Sequence, residues 1–133
     1  MKVISVTAAA LLAAGLAGCG SVSDRQEAAS TAATRLLTAV QQKDGSAACA
    51  LLAPATAAEL AESQNKPCPE AILGEDLPAP GEVTGASVYG QWAQVRLTGD
   101  TVFLAVVDRG WRVVAAGCTP RGDAPYDCAL QGD

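Results

Sequence analysis

The chain has 133 residues, half of them apolar, 17% charged and 4% aromatic, a mixture that can build one core and argues against wholesale disorder. It contains no histidine, and Met1 is its one methionine, which excludes imidazole bases, Ser-His and Cys-His nucleophile pairs, imidazole-held zinc or haem, and thioether copper sites. A formal net charge of −5 argues against nucleic acid as a partner, since nucleic acid is bound through basic surface.

Met1 and Lys2 supply a short positive start, followed by the uncharged run Val3 to Ala17. That run falls short of the ~20 residues a bilayer-spanning helix needs. It suits the core of a cleaved signal peptide, with small residues at its end for a peptidase. The run closes as Leu16-Ala17-Gly18-Cys19, which resembles the lipobox of bacterial lipoproteins. The resemblance implies a signal peptide over 1–18, a diacylglyceryl group on the Cys19 thiol, and a mature N-terminus at Cys19. The partner so implied is the membrane, on its extracytoplasmic face, with two acyl chains giving a stable hold. A short tether over 19–22 then leads into a single domain, 23–133. From Gly20 to Ser23 an extended chain reaches at most ~14 Å, which keeps the domain close to the bilayer.

Setting Cys19 aside leaves Cys49, Cys68, Cys118 and Cys128, an even set in an exported domain. Four cysteines allow three pairings. Cys118 and Cys128 flank a short Pro/Gly-containing loop, Thr119 to Asp127, which favours their pairing with each other; Cys49 and Cys68 would then close the helical half. No Cys-x-x-Cys spacing occurs and no histidine is present, so disulfides are expected here and no metal or other cofactor.

Ser23 with Gln26 forms a capping-box pattern, and Ala29, Ala33, Leu36, Leu37 and Val40 follow at helical spacing. Lys43 falls in the last turn and Gly45 reads as the stop. Ser46 can cap a shorter helix, Ala47 to Leu52. Pro54 suits the first turn of a third, running to about Gln64. Pro67-Cys68-Pro69 reads as extended, followed by one turn through Ile72, and Gly74 to Glu82 as an acidic linker.

From Val83 the period changes to alternation. Val83–Tyr89, Trp92–Thr98, Thr101–Asp108 and Trp111–Ala116 read as four strands, with Gly90-Gln91, Gly99-Asp100 and Arg109-Gly110 as tight turns. Connections this short make an antiparallel meander. The fold class expected is therefore α+β, with three N-terminal helices packed on a curved four-stranded antiparallel meander.

This order of elements, ending in Gly110-Trp111-Arg112-Val113-Val114, resembles the cone-shaped nuclear transport factor 2-like superfamily. The stretch through Gly117-Cys118, with Pro125-Tyr126-Asp127-Cys128, is similar to small uncharacterised lipoproteins of actinobacteria. The superfamily resemblance implies a pocket between the helices and the concave sheet face; Trp92, Phe103 or Trp111 would line it for a small apolar ligand, or fill core as aromatics on neighbouring strands do. Some members isomerise or dehydrate substrates there with aspartate, histidine or tyrosine. No catalytic residue is carried over to this chain, which has no histidine.

Other residues invite a chemical reading. Asp100 and Asp108 lie at strand ends and are expected to shape turns, with Tyr89 and Tyr126 as the hydroxyls an isomerase-like site would recruit. Glu70, Glu75, Asp76 and Glu82 read as a solvated acidic stretch, Arg121-Gly122-Asp123 as a chance tripeptide, and Arg96 with Arg112 either as a small basic patch on the outer sheet surface or, equally, as ordinary solvated edge residues. The expected function is a noncatalytic, membrane-anchored binding or accessory module of the cell envelope, with an envelope protein as its candidate partner. Binding of a small apolar ligand is the alternative, and an isomerase- or hydratase-like enzyme using Asp108 comes third.

Overall fold

The computed structural model describes residues 20–132, so the expected signal peptide and Cys19 lie outside the described residues. The first helix, α1, spans Val22–Gln41 and is capped two residues earlier than Ser23. Ser21 Oγ accepts from the Asp24 N–H, and Asp24 Oδ2 accepts from the Ser21 N–H, each at 3.1 Å. Aspartate thus replaces the usual glutamate of a capping box, and the expected Gln26 is released for other work. Its Nε2 donates to the Ala86 carbonyl at 2.9 Å, tying the helix to the first strand. The buried stripe is Ala29, Ala32, Ala33, Leu36, Leu37, Ala39 and Val40.

Helix α2, Gly45–Ala50, also starts earlier than its expected Ser46 cap, because Asp44 Oδ1 accepts from the Ala47 N–H at 3.0 Å. Gly45 is therefore a first-turn residue and not a stop. Helix α3, Pro54–Gln64, begins on its proline as expected and ends at Asn65 in the left-handed region, φ 50°. A fourth helix, α4, Cys68–Ala71, stands where an extended Pro-Cys-Pro stretch was expected, and a 3₁₀ turn over Ile72–Gly74 continues it. Pro69 is compatible with this because it lies in the first turn, where its missing N–H breaks no helical bond.

Five strands follow: β1 Val83–Tyr89, β2 Trp92–Leu97, β3 Asp100–Val107, β4 Gly110–Arg121 and β5 Ala124–Gln131. They form one antiparallel sheet in sequence order. The class is α+β, helices then sheet, but the expected four strands and three helices are corrected to five strands and four α-helices among the described residues. The missed strand is β5, and β4 runs beyond Ala116. Thr119 to Asp127, expected as a disulfide-closed loop, is a hairpin that turns at Gly122-Asp123. Gly117, Pro120 and Pro125 hid it, since all three read as strand breakers. The pairing absorbs them: the register shifts between Thr119 and Arg121, and β5 is an edge strand, where a missing N–H is tolerated.

Before β5 begins to pair, the outer edge of β4 is covered by helix-connecting chain. The Val113 N–H donates to the Leu51 carbonyl at 2.8 Å and the Ala53 N–H to the Val113 carbonyl at 2.9 Å, a short parallel bridge. No long run of β4 edge is left open for another chain to pair with. The core lies between α1 and the inner sheet face, where Leu36, Leu37, Val95, Val102, Leu104 and Val113 are wholly buried. Ile72, from the 3₁₀ turn, joins them.

Candidate functional site

Two disulfides frame the domain. Cys49 of α2 is bonded to Cys68, the first residue of α4, and Cys118 of β4 to Cys128 of β5. Cys118 and Cys128 are directly paired across the two strands, so the second bridge pins a hairpin rather than closing a loop.

The three aromatic residues expected to line a common pocket are divided between two sheet faces. Along β2, Ala93, Val95 and Leu97 are buried, which turns Trp92 outward, and it is 53% exposed. Phe103 lies between the buried Val102 and Leu104 and also faces outward, in edge-to-face contact with Tyr126 at 5.1 Å between ring centroids. Gln94 Nε2 donates to the Tyr126 hydroxyl at 3.1 Å on the same face. Trp111 alone belongs to the inner core. Strand parity accounts for the division, since neighbouring residues point to opposite faces. Core side chains of α1, β2, β3 and β4 fill the space under the middle of the sheet, where the cone pocket was expected, and of the three aromatic residues Trp111 lines a cleft that stays open beside α1.

The carboxylates are also placed differently from one another. Asp100 is buried, and Oδ1 accepts from the Thr101 N–H at 2.7 Å and the Cys118 N–H at 3.0 Å. Oδ2 accepts from the Gly117 N–H at 3.3 Å. Asp100 thus fastens the start of β3 to an irregular point of β4, where Gly117 has φ +64°. Burial pushes its carboxyl above the ordinary aspartate value, while the three backbone donors pull the other way. Asp108 is exposed in the β3–β4 turn, with φ 48°, beside Arg109 at φ 66°. Tyr126 accepts from Gln94 and Tyr89 is exposed. Among the described residues no group of three metal-ligating side chains is assembled.

Arg96 and Arg112 do not form the expected patch. Arg96 is opposite Thr101 on β3 and Arg112 opposite Ala105, four residues further on, about 13 Å along the strand. Arg112 instead joins a cleft that the sequence reading missed. The cleft, about 520 Å³, runs between α1 and the β3–β4 hairpin, and four of the chain's six arginines line it: Arg25, Arg35, Arg109 and Arg112. Its floor is apolar, with Ala28, Ala32, Leu51, Val106 and Trp111. Small residues on this side of α1 leave the space open.

Arg25 and Arg112 are held by uncharged groups. Arg25 Nη2 donates to the Gly90 carbonyl in the β1–β2 turn, and its guanidinium lies 5.4 Å from the Trp111 ring centroid, a cation–π contact. Arg112 Nη1 donates to the Trp111 carbonyl at 3.1 Å. Arg35 and Arg109 are exposed. The one carboxylate in the lining, Asp24, is occupied with capping α1. Arg25 and Arg35 stand at least 74 residues before Arg109 and Arg112 in the sequence, too far to be read as one cluster. Comparison with family models, curated proteins and solved structures finds no match for this chain.

Proposed function

We propose that this chain is a noncatalytic lipoprotein, anchored through Cys19 on the extracytoplasmic face of a cell membrane, whose domain is a binding module of the envelope. The carrying observation is the pair of disulfides, Cys49–Cys68 and Cys118–Cys128, in so small a domain. Structural bridges of this kind belong to oxidising compartments. The sequence Leu16-Ala17-Gly18-Cys19 adds the anchor. No helix among the described residues is long and apolar enough to cross a membrane, so in this reading the acyl chains make the attachment. Helix α1 begins at Val22, three residues after Cys19, which holds the domain against the bilayer.

Binding is favoured over catalysis by how the titratable groups are used. Asp100, the one buried carboxylate among the described residues, spends both oxygens on backbone N–H groups. The order of helices followed by an antiparallel sheet is the support for kinship with the nuclear transport factor 2-like superfamily, whose members include noncatalytic binding modules.

The test is the full-length protein in a bacterial lipoprotein host. The wild type should fractionate with membranes and carry a diacylglyceryl mass on Cys19. Cys19→Ser should leave the precursor unprocessed or release the protein. Normal cleavage with membrane retention in that variant would overturn the anchored reading.

A further inference from the structure

A protein with a net charge of −5 gathers four of its six arginines into one cleft. Like charges brought together repel, so the arrangement is held at a cost unless an anion offsets it. The polar contacts of Arg25 and Arg112 are to backbone carbonyls, and Asp24, the one carboxylate in the cleft lining, caps α1. The fixed arginines keep open donor capacity: Arg25 is placed by Trp111 and Gly90, Arg112 by the Trp111 carbonyl, and each guanidinium has five N–H donors.

We propose that this cleft is a binding site for a phosphate ester. The guanidinium groups come from three separate elements: α1 supplies Arg25 and Arg35, the β3–β4 turn supplies Arg109, and β4 supplies Arg112. Guanidinium donors on three elements around one cleft suit the several oxygens of a tetrahedral phosphate better than the two coplanar oxygens of a carboxylate. The apolar floor of Leu51, Val106 and Trp111 suits the organic part of the ester, and about 520 Å³ is within the range of small-molecule sites.

The cleft also lies at the anchor end of the domain. It begins at Asp24 and Arg25, five and six residues from Cys19, and is bordered by Gln91 in the β1–β2 turn and Arg109 in the β3–β4 turn. Exposed Tyr89 and Trp92, cross-strand partners at the same turn, and exposed Val22 add the amphipathic and apolar side chains that settle at a lipid–water interface. The phosphate of an anionic phospholipid is one source of such a ligand, and a soluble phosphate ester is the other. Only the lipid source rests on the anchored reading.

The test uses the full-length chain with Cys19→Ser, which removes lipidation, and Trp92→Phe, which leaves Trp111 as its one tryptophan. Glycerol phosphate should change Trp111 fluorescence saturably. Binding should weaken about tenfold in Arg35→Ala, an exposed helix position where folding is not at risk, and vanish in Arg35→Ala/Arg112→Ala. Arg121→Ala, which removes the same charge outside the cleft, should bind as before. Vesicles with and without phosphatidylglycerol in phosphatidylcholine then separate the sources, any contribution of the N-terminal segment being common to all variants. A preference for phosphatidylglycerol that disappears in the double variant assigns a lipid headgroup; glycerol phosphate binding without that preference assigns a soluble ester. No response to glycerol phosphate, together with a vesicle preference equal in the double variant and Arg121→Ala, overturns the site. Because none of these proteins is lipidated, that failure is separate from failure of the anchored reading, which the mass of Cys19 decides.

Discussion

Asp100 shows how one side chain decides the junction of two strands. Its carboxylate accepts from Thr101, Gly117 and Cys118, so Asp100→Ala would leave three backbone N–H groups without that partner. A buried donor left unsatisfied costs roughly 1–3 kcal/mol, and partial relaxation should bring the total to about 3 kcal/mol in urea unfolding. The carboxyl also has a pH signature. Its pKa is raised in the folded domain, so the folded state binds the proton more tightly than the unfolded chain. The stabilisation linked to that proton is complete below the unfolded aspartate value and is lost as pH rises through the folded one. Measured against Asp100→Asn, which does not titrate, the wild type should therefore lose relative stability as pH rises above the ordinary aspartate range. The sequence reading placed Asp100 at a strand boundary, and that was legible from the Gly99-Asp100 pair. Its burial was not, because the groups it binds lie 17 and 18 residues further along the chain.

At the scale of elements, the helical half depends on a close approach between α2 and α4. Gly45 faces the backbone of Pro69, and a Cβ there would come within 2.0 Å of the Pro69 carbonyl oxygen. Gly45→Ala should force the two helices apart and lower stability by about 2–3 kcal/mol, as overpacking does, without altering the helix content seen by circular dichroism. The same pair of helices is joined by Cys49–Cys68, so Cys49→Ala/Cys68→Ala should lose roughly 2–4 kcal/mol. A double variant with unchanged urea midpoint would show that packing alone holds α2 on α4. Helix α1 and strand β2 were legible because a long stripe and a clean alternation survive any plausible packing. The caps were misplaced because Ser21-x-x-Asp24 and Ser23-x-x-Gln26 are overlapping solutions, and Gln26 is claimed by a carbonyl of β1.

For the whole molecule, the two bridges act on separate halves, one among the helices and one in the last hairpin. Their effects should add, because they share no partner. Strong reductant should lower the melting temperature of the full-length protein by more than about 10 °C. An unchanged melting curve would mean that neither bridge constrains the folded ensemble. The basic cleft belongs to this scale as well, since helix, turn and strand must all be docked before its arginines line one cleft. An overall negative charge conceals it, and raising ionic strength should weaken anion binding there by screening its exposed members, Arg35 and Arg109.

The sequence by itself determined those features that depend on neighbours a few residues apart. These are the helical stripe of α1, the alternation of β2, the proline start of α3, the switch from helices to antiparallel strands, and an even set of cysteines after Cys19. Tertiary structure alone decided those that depend on distant partners. The fifth strand forms because an edge position and a register shift accommodate Pro120 and Pro125, which look like breakers in isolation. Trp92 and Phe103 are parted from Trp111 by strand parity, and the expected cavity is reduced to the cleft beside Trp111 because α1 settles on the rest of the inner sheet face. The arginine cleft exists only because α1 and the β3–β4 hairpin bring charges from both halves of the chain to one place, a juxtaposition that no local pattern encodes.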